Sequence, residues 1–293
     1  MAETEPNMIP AAGTKRIAVV TGANKGIRFG ISKQLASNGI KVILTARDVQ
    51  RGGEAAEKLQ AAGYSDVFFH QLDVTDPASI SSLANFISSQ FGKLDILINN
   101  EGIAGSMVDP EFRKNHVLGL DEIIGEKAES VKKFVKQTYE HSKNCLQTNY
   151  YGMKLVSKEL IPLLQLSNSA RIVNVSSGLG QLQNAKKELG DVDELTEEKV
   201  DKGVEGFLED VKENLVEIKG WPKVSMLIQE FLAKNYPNIP INTVSPGHTK
   251  TNLNDNTGVL SIEEAAKGPT MLALMPKGGP SGLFFEQTEV AAF

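Results

Sequence analysis

Short apolar runs alternate with amphipathic segments over the first hundred residues of the chain. The apolar runs predict strands at 17–20, 41–45, 67–72 and 94–100, and the segments between them predict helices at 27–38, 54–62 and 77–91. In the first of these helices Ile27, Ile31 and Leu35 recur at helical spacing, and Gly39 follows as a natural stop. The strands are almost wholly apolar, as in sheets that helices cover on both faces. This alternation indicates βαβ units and a parallel sheet.

The same alternation resumes after two interruptions by charged residues. It predicts helices at 155–166, 224–235 and 262–275, and strands at 171–175, 240–244 and 282–285. The interruptions are insertions near 103–143, where we interpret 128–143 as helical, and 181–219, where we interpret the acidic run 188–198 as a solvated face. No repeat or linker divides the chain. We therefore predict one α/β domain over residues 15–293 after a flexible N-terminal segment, 1–14.

The junction between the first strand and the first helix carries the first candidate chemistry. Thr21 and Gly22 end the strand, and Gly26 opens the helix. This order presents backbone N–H groups and the positive end of a helix to an anion, and the phosphates of a dinucleotide are the usual occupant. An ordinary turn is the alternative, because a glycine loop alone is a weak signal.

Composition and charge exclude several classes of function. The 293 residues are 41% hydrophobic and 23% charged, which is typical of a soluble globular protein. A net charge of −5 gives no basic footprint for nucleic acid. No apolar stretch approaches the roughly 20 residues of a membrane span, and the N-terminus has no apolar leader region. We predict a cytoplasmic protein with neither nucleic-acid nor membrane partners.

Cysteine and histidine usage narrows the chemistry further. Cys145 is the single cysteine, so no internal disulfide is possible, and we interpret it as a small buried hydrophobic residue. The four histidines have no ligand spacing, which argues against a metal site: His70, His116, His141 and His248. A Gly-x-Ser-x-Gly elbow, which a serine hydrolase would need, is missing from the sequence.

Several short motifs occur together in one order and spacing. They are Thr21-Gly22…Gly26, Leu72-Asp73-Val74, Asn99-Asn100…Gly102, Asn149, Asn174 to Ser177, Gly220-Trp221-Pro222 and Pro246-Gly247…Thr251. With them the chain resembles the short-chain dehydrogenase/reductase superfamily, within it the plant salutaridine-reductase-like and menthone/neomenthol-reductase-like group, close to the carbonyl reductases. The likeness covers about residues 15–293. It implies a single-domain Rossmann fold, a doubly wound parallel sheet in the order 3-2-1-4-5-6-7, and hydride transfer to a carbonyl or a conjugated alkene.

The end of the second strand indicates the cofactor. An NAD site places an acidic residue there, whereas this strand ends in Arg47, whose guanidinium suits a 2′-phosphate. Lys25 adds a second positive charge, so we predict NADPH, although Arg47 also fits a plain surface arginine. The resemblance implies that Asp73 faces the adenine, and that further cofactor contacts come from Thr21, Gly22, Asn24, Gly26, Ile27, Val74, Asn99, Gly102, Pro246, Gly247, Thr249 and Thr251. It also implies a monomer, because the insertion after Gly102 covers the usual dimer face.

The catalytic group that the resemblance implies is incomplete. Ser177 matches the serine that binds the substrate oxygen, and Asn149 matches the asparagine that holds a proton-relay water. The tyrosine that acts as general acid, and the lysine that lowers its pKa, should follow Pro222, but Ile228 and Leu232 stand there. Two other pairs have the spacing, Tyr139/Lys143 and Tyr150/Lys154, but both precede Ser177 along the chain, so we do not assign them to catalysis.

Two further positions depart from the motifs. Arg28 replaces the third glycine of the glycine loop, where its bulk should crowd the loop although its charge suits a phosphate. Glu101 replaces an alanine, and a carboxylate buried beside an anionic cofactor is costly unless it is paired or protonated. Lys25 and Arg28 are the candidate partners.

Three functions therefore stay open. The first is an NADPH-dependent reductase of small hydrophobic ketones or enones, such as terpenoid or alkaloid intermediates. The second is a catalytically impaired or inactive protein that still binds a nucleotide or another ligand. The third is a chain whose fold is compromised, because the segment between Pro222 and Pro237 is about ten residues of helix shorter than the resemblance implies.

Overall fold

The computed structural model describes residues 15–116, 127–177, 196–216, 218, 235–251, 256 and 258–291. The predicted flexible segment 1–14, most of the predicted helix 224–235 and the positions of Ile228 and Leu232 lie outside these residues.

A mostly parallel sheet of eight strands forms the centre of the protein. The strands of the chain are β1 Ile17–Val20, β2 Lys41–Ala46, β3 Val67–Gln71, β4 Ile96–Asn99, β5 Met107–Val108, β6 Val135–Lys136, β7 Arg171–Val175, β8 Ile241–Ser245, β9 Phe284–Glu286 and β10 Glu289–Ala291. The large sheet has the order β10-β9-β8-β7-β4-β1-β2-β3, and β5 pairs with β6 in a separate two-stranded sheet. The predicted order 3-2-1-4-5-6-7 is confirmed for its parallel strands, and the antiparallel edge strand β10 was not predicted.

Helices cover both faces of this sheet. They are α1 Gly26–Ser37, α2 Val49–Ala61, α3 Pro77–Phe91, α4 Pro110–Asn115, α5 Ala128–Val131, α6 Tyr139–Leu146, α7 Met153–Gln165, α8 Glu197–Lys212, α9 Ile262–Ala265 and α10 Lys267–Leu274. A 3₁₀ turn, Lys132–Phe134, follows α5, and a π-helical turn, Gln147–Gly152, joins α6 to α7.

The residues of β1 show how the two faces are used. Ile17 and Val19 belong to a core cluster with α3 and α7, while Ala18 and Val20 belong to a second cluster with α1, α2 and α10. All four residues are buried. Alternate residues of a strand point to opposite faces, so a strand covered on both sides has to be apolar throughout.

Two predicted helices are wrong in detail. The segment 128–143 is not one helix, because Val135 and Lys136 pair with β5 and Thr138 then caps α6. The predicted helix 262–275 is divided at Ala266 into α9 and α10. A contact between distant segments interrupts the first helix, so the local pattern of apolar residues could not predict the break.

The second insertion contains α8, which was not predicted. Apolar residues recur on it at helical spacing, at Val200, Val204 and Val211, and pack inward while Thr196 caps its start. This periodicity was present in the sequence but was hidden among the charges.

The acidic residues of α8 do not all form a solvated face, as was predicted for the run up to 198. Lys154 on α7 is 7% exposed, and its ammonium lies 2.7 Å from carboxylate oxygens of both Glu197 and Asp201. Tyr150 donates a hydrogen bond to the same Asp201 carboxylate over 2.7 Å, and Lys158 pairs with Glu197 at 2.5 Å. These ion pairs join the second insertion to the body of the fold.

Replacing Lys154 by methionine should therefore destabilise the protein. The change leaves Glu197 and Asp201 partly buried and facing each other without their shared cation, and should lower the free energy of unfolding by about 1–3 kcal/mol. Denaturant unfolding measures the loss. Lys202→Met on the same helix is the matched control, because Lys202 pairs with Glu198 at the exposed surface and should change stability by less than about 1 kcal/mol.

The loss of unfolding free energy in Lys154→Met relative to the wild type should be larger at neutral pH than at acid pH. Burial tends to raise the pKa of Asp201, but hydrogen bonds from Lys154 and Tyr150 outweigh burial and hold it below the ordinary value. Such a group stabilises the fold above the unfolded-state pKa, near 4, and the contribution is lost as the pH falls through the lowered value. Equal losses for Lys154→Met at pH 7 and pH 2.5 would contradict this assignment.

Candidate functional site

The glycine loop after β1 is held by the strands on either side of it. The N–H of Thr21 donates to the carbonyl of Ile98 over 3.0 Å, and the N–H of Ala23 donates to the carbonyl of Thr45 over 2.6 Å. Gly22 and Gly26 both have φ of +61°, a left-handed conformation that favours glycine. The loop therefore lies at the carboxyl edge of the sheet, where the order of strands reverses and ligands of such folds bind.

The start of α1 differs from the starts of the next two helices. Asp48 and Asp76 cap α2 and α3 through their side chains, whereas the N-cap of α1, Lys25, makes no capping hydrogen bond. The first-turn N–H groups of α1 thus receive no acceptor from the side chain of their own N-cap, which suits an anionic ligand. The loop leaves space at Gly26, where a Cβ would meet, among the described residues, only a methyl group of Thr251 at 3.8 Å.

The segment after β8 therefore approaches the glycine loop, as the predicted cofactor contacts at both places require. Gly247 has φ of +79°, and the buried Thr249 donates a hydrogen bond to its carbonyl over 3.0 Å. Pro246 immediately precedes this turn. The contact of this segment with a nicotinamide stays a prediction.

The ends of β2 and β3 carry the two residues expected at the adenosine side. Arg47 is exposed directly after β2. Asp73 accepts hydrogen bonds from the N–H and the hydroxyl of Thr75, at 2.9 and 2.6 Å, so one of its oxygens is engaged in the local turn. Val74 is buried against Gly152, and a Cβ on Gly152 would lie 2.7 Å from a methyl group of Val74.

The end of β4 is joined to β7 by a pair of buried amides. Asn99 donates hydrogen bonds to the side-chain oxygens of Asn174 and Ser157 over 2.9 and 3.0 Å. The side-chain oxygen of Asn99 and the side-chain nitrogens of Asn100 and Asn174 have no partner among the described residues. Asn99 thus fits the predicted place beneath the cofactor, and its direct contact stays a prediction.

Thr21 ties the loop after β4 to the glycine loop. Its buried hydroxyl oxygen accepts the N–H groups of Asn100 and Glu101 over 2.9 and 3.0 Å. Residue 101 is consequently fixed beside Gly22.

The two residues that depart from the motifs meet at this point. Arg28 donates to the carbonyls of Gly22 and Gly102 over 3.3 and 3.2 Å. Burial raises the pKa of the Glu101 carboxyl, and the Arg28 charge partly offsets this rise. Of the two candidate partners, Arg28 is therefore the residue whose charge acts on Glu101. The third glycine of such loops permits close packing of the helix. In this chain Gly30 permits it instead, because a Cβ there would lie 2.7 Å from a methyl group of Ile262.

Ser177 follows the carboxyl end of β7, and Asn149 contacts the loop that follows the neighbouring strand β4. Ser177 is exposed two residues after β7. Asn149 lies in the π-helical turn, a feature that is frequent at functional sites, and its amide both accepts from the N–H of Ile103 and donates to the carbonyl of Ile103, each over 2.9 Å. The amide therefore holds the start of the first insertion. Its predicted role toward a water stays a prediction.

Cys145 is half-buried rather than fully buried as predicted, because it lines the same contact. Its sulfur lies 3.4 Å from the carbonyl oxygen of Ile103 and 3.3 Å from the amide nitrogen of Asn149. Burial raises the pKa of this thiol. No pattern in the sequence indicates this contact.

Tyr150 and Lys154 both bind acidic side chains of α8, Asp201 in each case and also Glu197 for Lys154. The pKa of Tyr150 is raised by burial and by its hydrogen bond to Asp201, whereas a general acid near neutral pH needs a lowered value. Tyr139 opens α6 at the surface. This geometry agrees with leaving both pairs unassigned.

Comparison with known proteins gives the family. Residues 16–188 match the family described as short chain dehydrogenase. The chain belongs to the short-chain dehydrogenase family. Salutaridine reductase of Papaver somniferum is 47% identical over 315 residues, with all of both chains covered. Its solved structure superposes with a TM-score of 0.84 over 93% of this chain and 99% of that one, at 46% identity.

Two other relatives carry reductase or dehydrogenase names. The (+)-neomenthol dehydrogenase of Arabidopsis thaliana is 46% identical over 302 residues, covering 97% of this chain and all of the relative. The carbonyl reductase [NADPH] 3 of Mus musculus is 36% identical over 281 residues, covering 89% and 91%. The chain is thus an oxidoreductase-family protein, with a Rossmann fold, among relatives that act on small molecules.

Membrane-spanning helices and groups of metal ligands are both absent from the described residues. None of the helices within them has the length and apolar content that a membrane crossing requires. In the same part of the chain, no three histidine, cysteine or acidic side chains group as a metal ion would need.

Replacing Asn149 by alanine should release the start of the first insertion. The change removes both hydrogen bonds to Ile103, each worth about 0.5–1.5 kcal/mol, and should speed hydrogen exchange of the Ile103 amide about tenfold or more. Exchange measured by NMR or mass spectrometry tests this. Asn144→Ala, at an exposed position of α6, is the matched control. Equal exchange rates of the Ile103 amide in both variants would contradict the proposal that Asn149 holds the start of the first insertion.

Proposed function

We propose that this protein is an NADPH-dependent reductase of the carbonyl, or the conjugated alkene, of a small hydrophobic ketone such as a terpenoid or alkaloid intermediate. The observation that most supports this proposal is the glycine loop at the carboxyl edge of the sheet. The N-cap of the helix that follows this loop makes no capping hydrogen bond, and Arg47 follows the end of β2. The named activities of the relatives support the substrate class. We further propose a cytoplasmic monomer in which 15–293 acts as one domain.

The residues present fit most of a dinucleotide. Backbone N–H groups at the start of α1 would bind the pyrophosphate, and Arg47 with Lys25 would bind the 2′-phosphate. Asn24 lies within this loop, Ile27 follows it in the first turn of α1, and the methyl group of Thr251 approaches it at Gly26. One feature opposes the fit, because Glu101 places a carboxyl group beside Gly22.

The catalytic part would work through fewer groups than the family resemblance implies. When bound, NADPH supplies the hydride. The exposed hydroxyl of Ser177 would hold the substrate oxygen, and Asn149 would keep the adjoining loop in place. No tyrosine of this chain stands at the expected place after Pro222 to donate the proton, so water or another donor has to supply it.

The missing tyrosine favours a second candidate, an impaired or inactive protein that binds nucleotide or ligand without turnover. The alignment with salutaridine reductase spans 315 positions, more than the 293 residues of this chain, so the relative has residues with no counterpart here. Such a gap agrees with the shortened segment.

Arg47→Ala should discriminate between the two nicotinamide cofactors. Loss of a charge-assisted contact to the 2′-phosphate should weaken NADPH binding about tenfold to a hundredfold and leave NADH binding unchanged. Fluorescence titration measures both constants. The matched control is Arg51→Ala, which removes a nearby exposed arginine of α2 and should change neither constant. Equal loss for NADPH and NADH would refute the role of Arg47.

Turnover separates the two candidate functions. A panel of cyclic ketones and enones with NADPH should give measurable oxidation of the cofactor, and Ser177→Ala should lower kcat about a hundredfold or more. Tight NADPH binding without turnover on any member of the panel would instead select the inactive binding protein. Turnover that survives Ser177→Ala unchanged would exclude the assigned role of this serine.

A further inference from the structure

Glu101 is held against the glycine loop by its own backbone. Its N–H is bound to the Thr21 hydroxyl at 3.0 Å, and its Cβ and Cγ lie 3.3 Å from the place where Gly22 would carry a Cβ. The carboxyl group therefore lies beside the backbone that a bound pyrophosphate would approach.

Within the part of the chain that the structure describes, no ion pair or hydrogen bond neutralises this carboxyl group. One of its oxygens, Oε2, is buried without a hydrogen-bond partner among the described residues. Arg28 directs two of its N–H groups to the carbonyls of Gly22 and Gly102 instead. An unpaired buried carboxylate is costly, whereas a protonated one carries a donor in place of the charge.

The charges around Glu101 come from three elements. Arg28 faces it from α1 and Arg47 from the end of β2, and both favour the charged form. Asp73, after β3, disfavours that form, and burial outweighs every charge, so the pKa of Glu101 is raised in the protein without ligand. Phosphates arriving in the groove would add negative charge and raise this pKa further.

We propose that Glu101 makes nucleotide binding proton-dependent: its carboxylate opposes the cofactor phosphates, and a proton taken up from solvent onto this carboxyl group removes the opposition. This inference rests on the proposed nicotinamide cofactor site. By linkage, affinity is highest below the pKa of Glu101 in the free protein, and falls as the pH rises toward its pKa in the complex.

Direct binding of NADPH tests this without any turnover. Dissociation constants are measured by fluorescence titration or calorimetry from pH 5.5 to 8.5 for the wild-type chain and for Glu101→Gln, which has the same shape without the charge. The ratio of the two constants at each pH cancels the titration of the nucleotide itself. We expect Glu101→Gln to bind more tightly than the wild type by a factor that grows as the pH rises, up to about tenfold for each unit by which binding shifts the pKa of Glu101.

Two further variants complete the design. Glu57→Gln removes one negative charge from an exposed position of α2 and should behave as the wild type. Glu101→Ala, a second way to remove the charge, should tighten binding at pH 8 as Glu101→Gln does, and it keeps the test available if the glutamine variant does not melt cooperatively.

The outcomes are separate from those for the cofactor site as a whole. This inference is overturned if the ratio of the wild-type dissociation constant to that of Glu101→Gln or Glu101→Ala is the same at every pH. It is also overturned if removal of the charge weakens NADPH binding. In both cases the cofactor proposal stands. If neither the wild type nor any variant binds NADPH at any pH, the cofactor proposal fails, and this inference fails with it.

Discussion

The candidate site depends on one junction, at which the Thr21 hydroxyl binds the loop after β4 to the loop after β1. The two strands run parallel as neighbours, so both loops leave the sheet at the same edge. The N–H of Thr21 donates to the carbonyl of Ile98 and so extends the pairing of β1 with β4. The hydroxyl oxygen of Thr21 accepts the N–H groups of Asn100 and Glu101, which directly follow β4. This arrangement fixes residue 101 beside Gly22 whatever its side chain is. A glutamate at that position therefore affects the cofactor groove directly.

The same junction explains why two departures from the motifs coexist in a sound fold. Arg28 extends across the loop to two carbonyls, and its charge offsets part of the cost of burying Glu101. The close approach of α1 to α9 is supplied by Gly30. The fold thus accommodates both changes, and their effect falls on the space in which a dinucleotide would lie.

The strands were predictable because a local pattern determines them. A strand covered on both faces must be largely apolar, as β1 is throughout and β4 is up to its last residue, Asn99. The apolar run at β7 gives the bounds of that strand correctly. The break within 128–143 depends on pairing with β5, and the ion pairs of Lys154 depend on a helix more than 40 residues away. Contacts of this kind leave no periodic signal in the sequence. At the site, the glycine loop and the unusual Arg28 and Glu101 were visible in the sequence, whereas the clamp from Asn149 to Ile103 needed the structure.

A crystal structure of the chain with NADP⁺ would show directly where the cofactor lies. We predict the pyrophosphate within hydrogen-bond distance of the N–H groups that open α1, the 2′-phosphate at Arg47, and the nicotinamide ring toward Ser177. A nucleotide bound elsewhere, or a groove that stays filled by the side chains of Arg28 and Glu101 at saturating nucleotide, would contradict it.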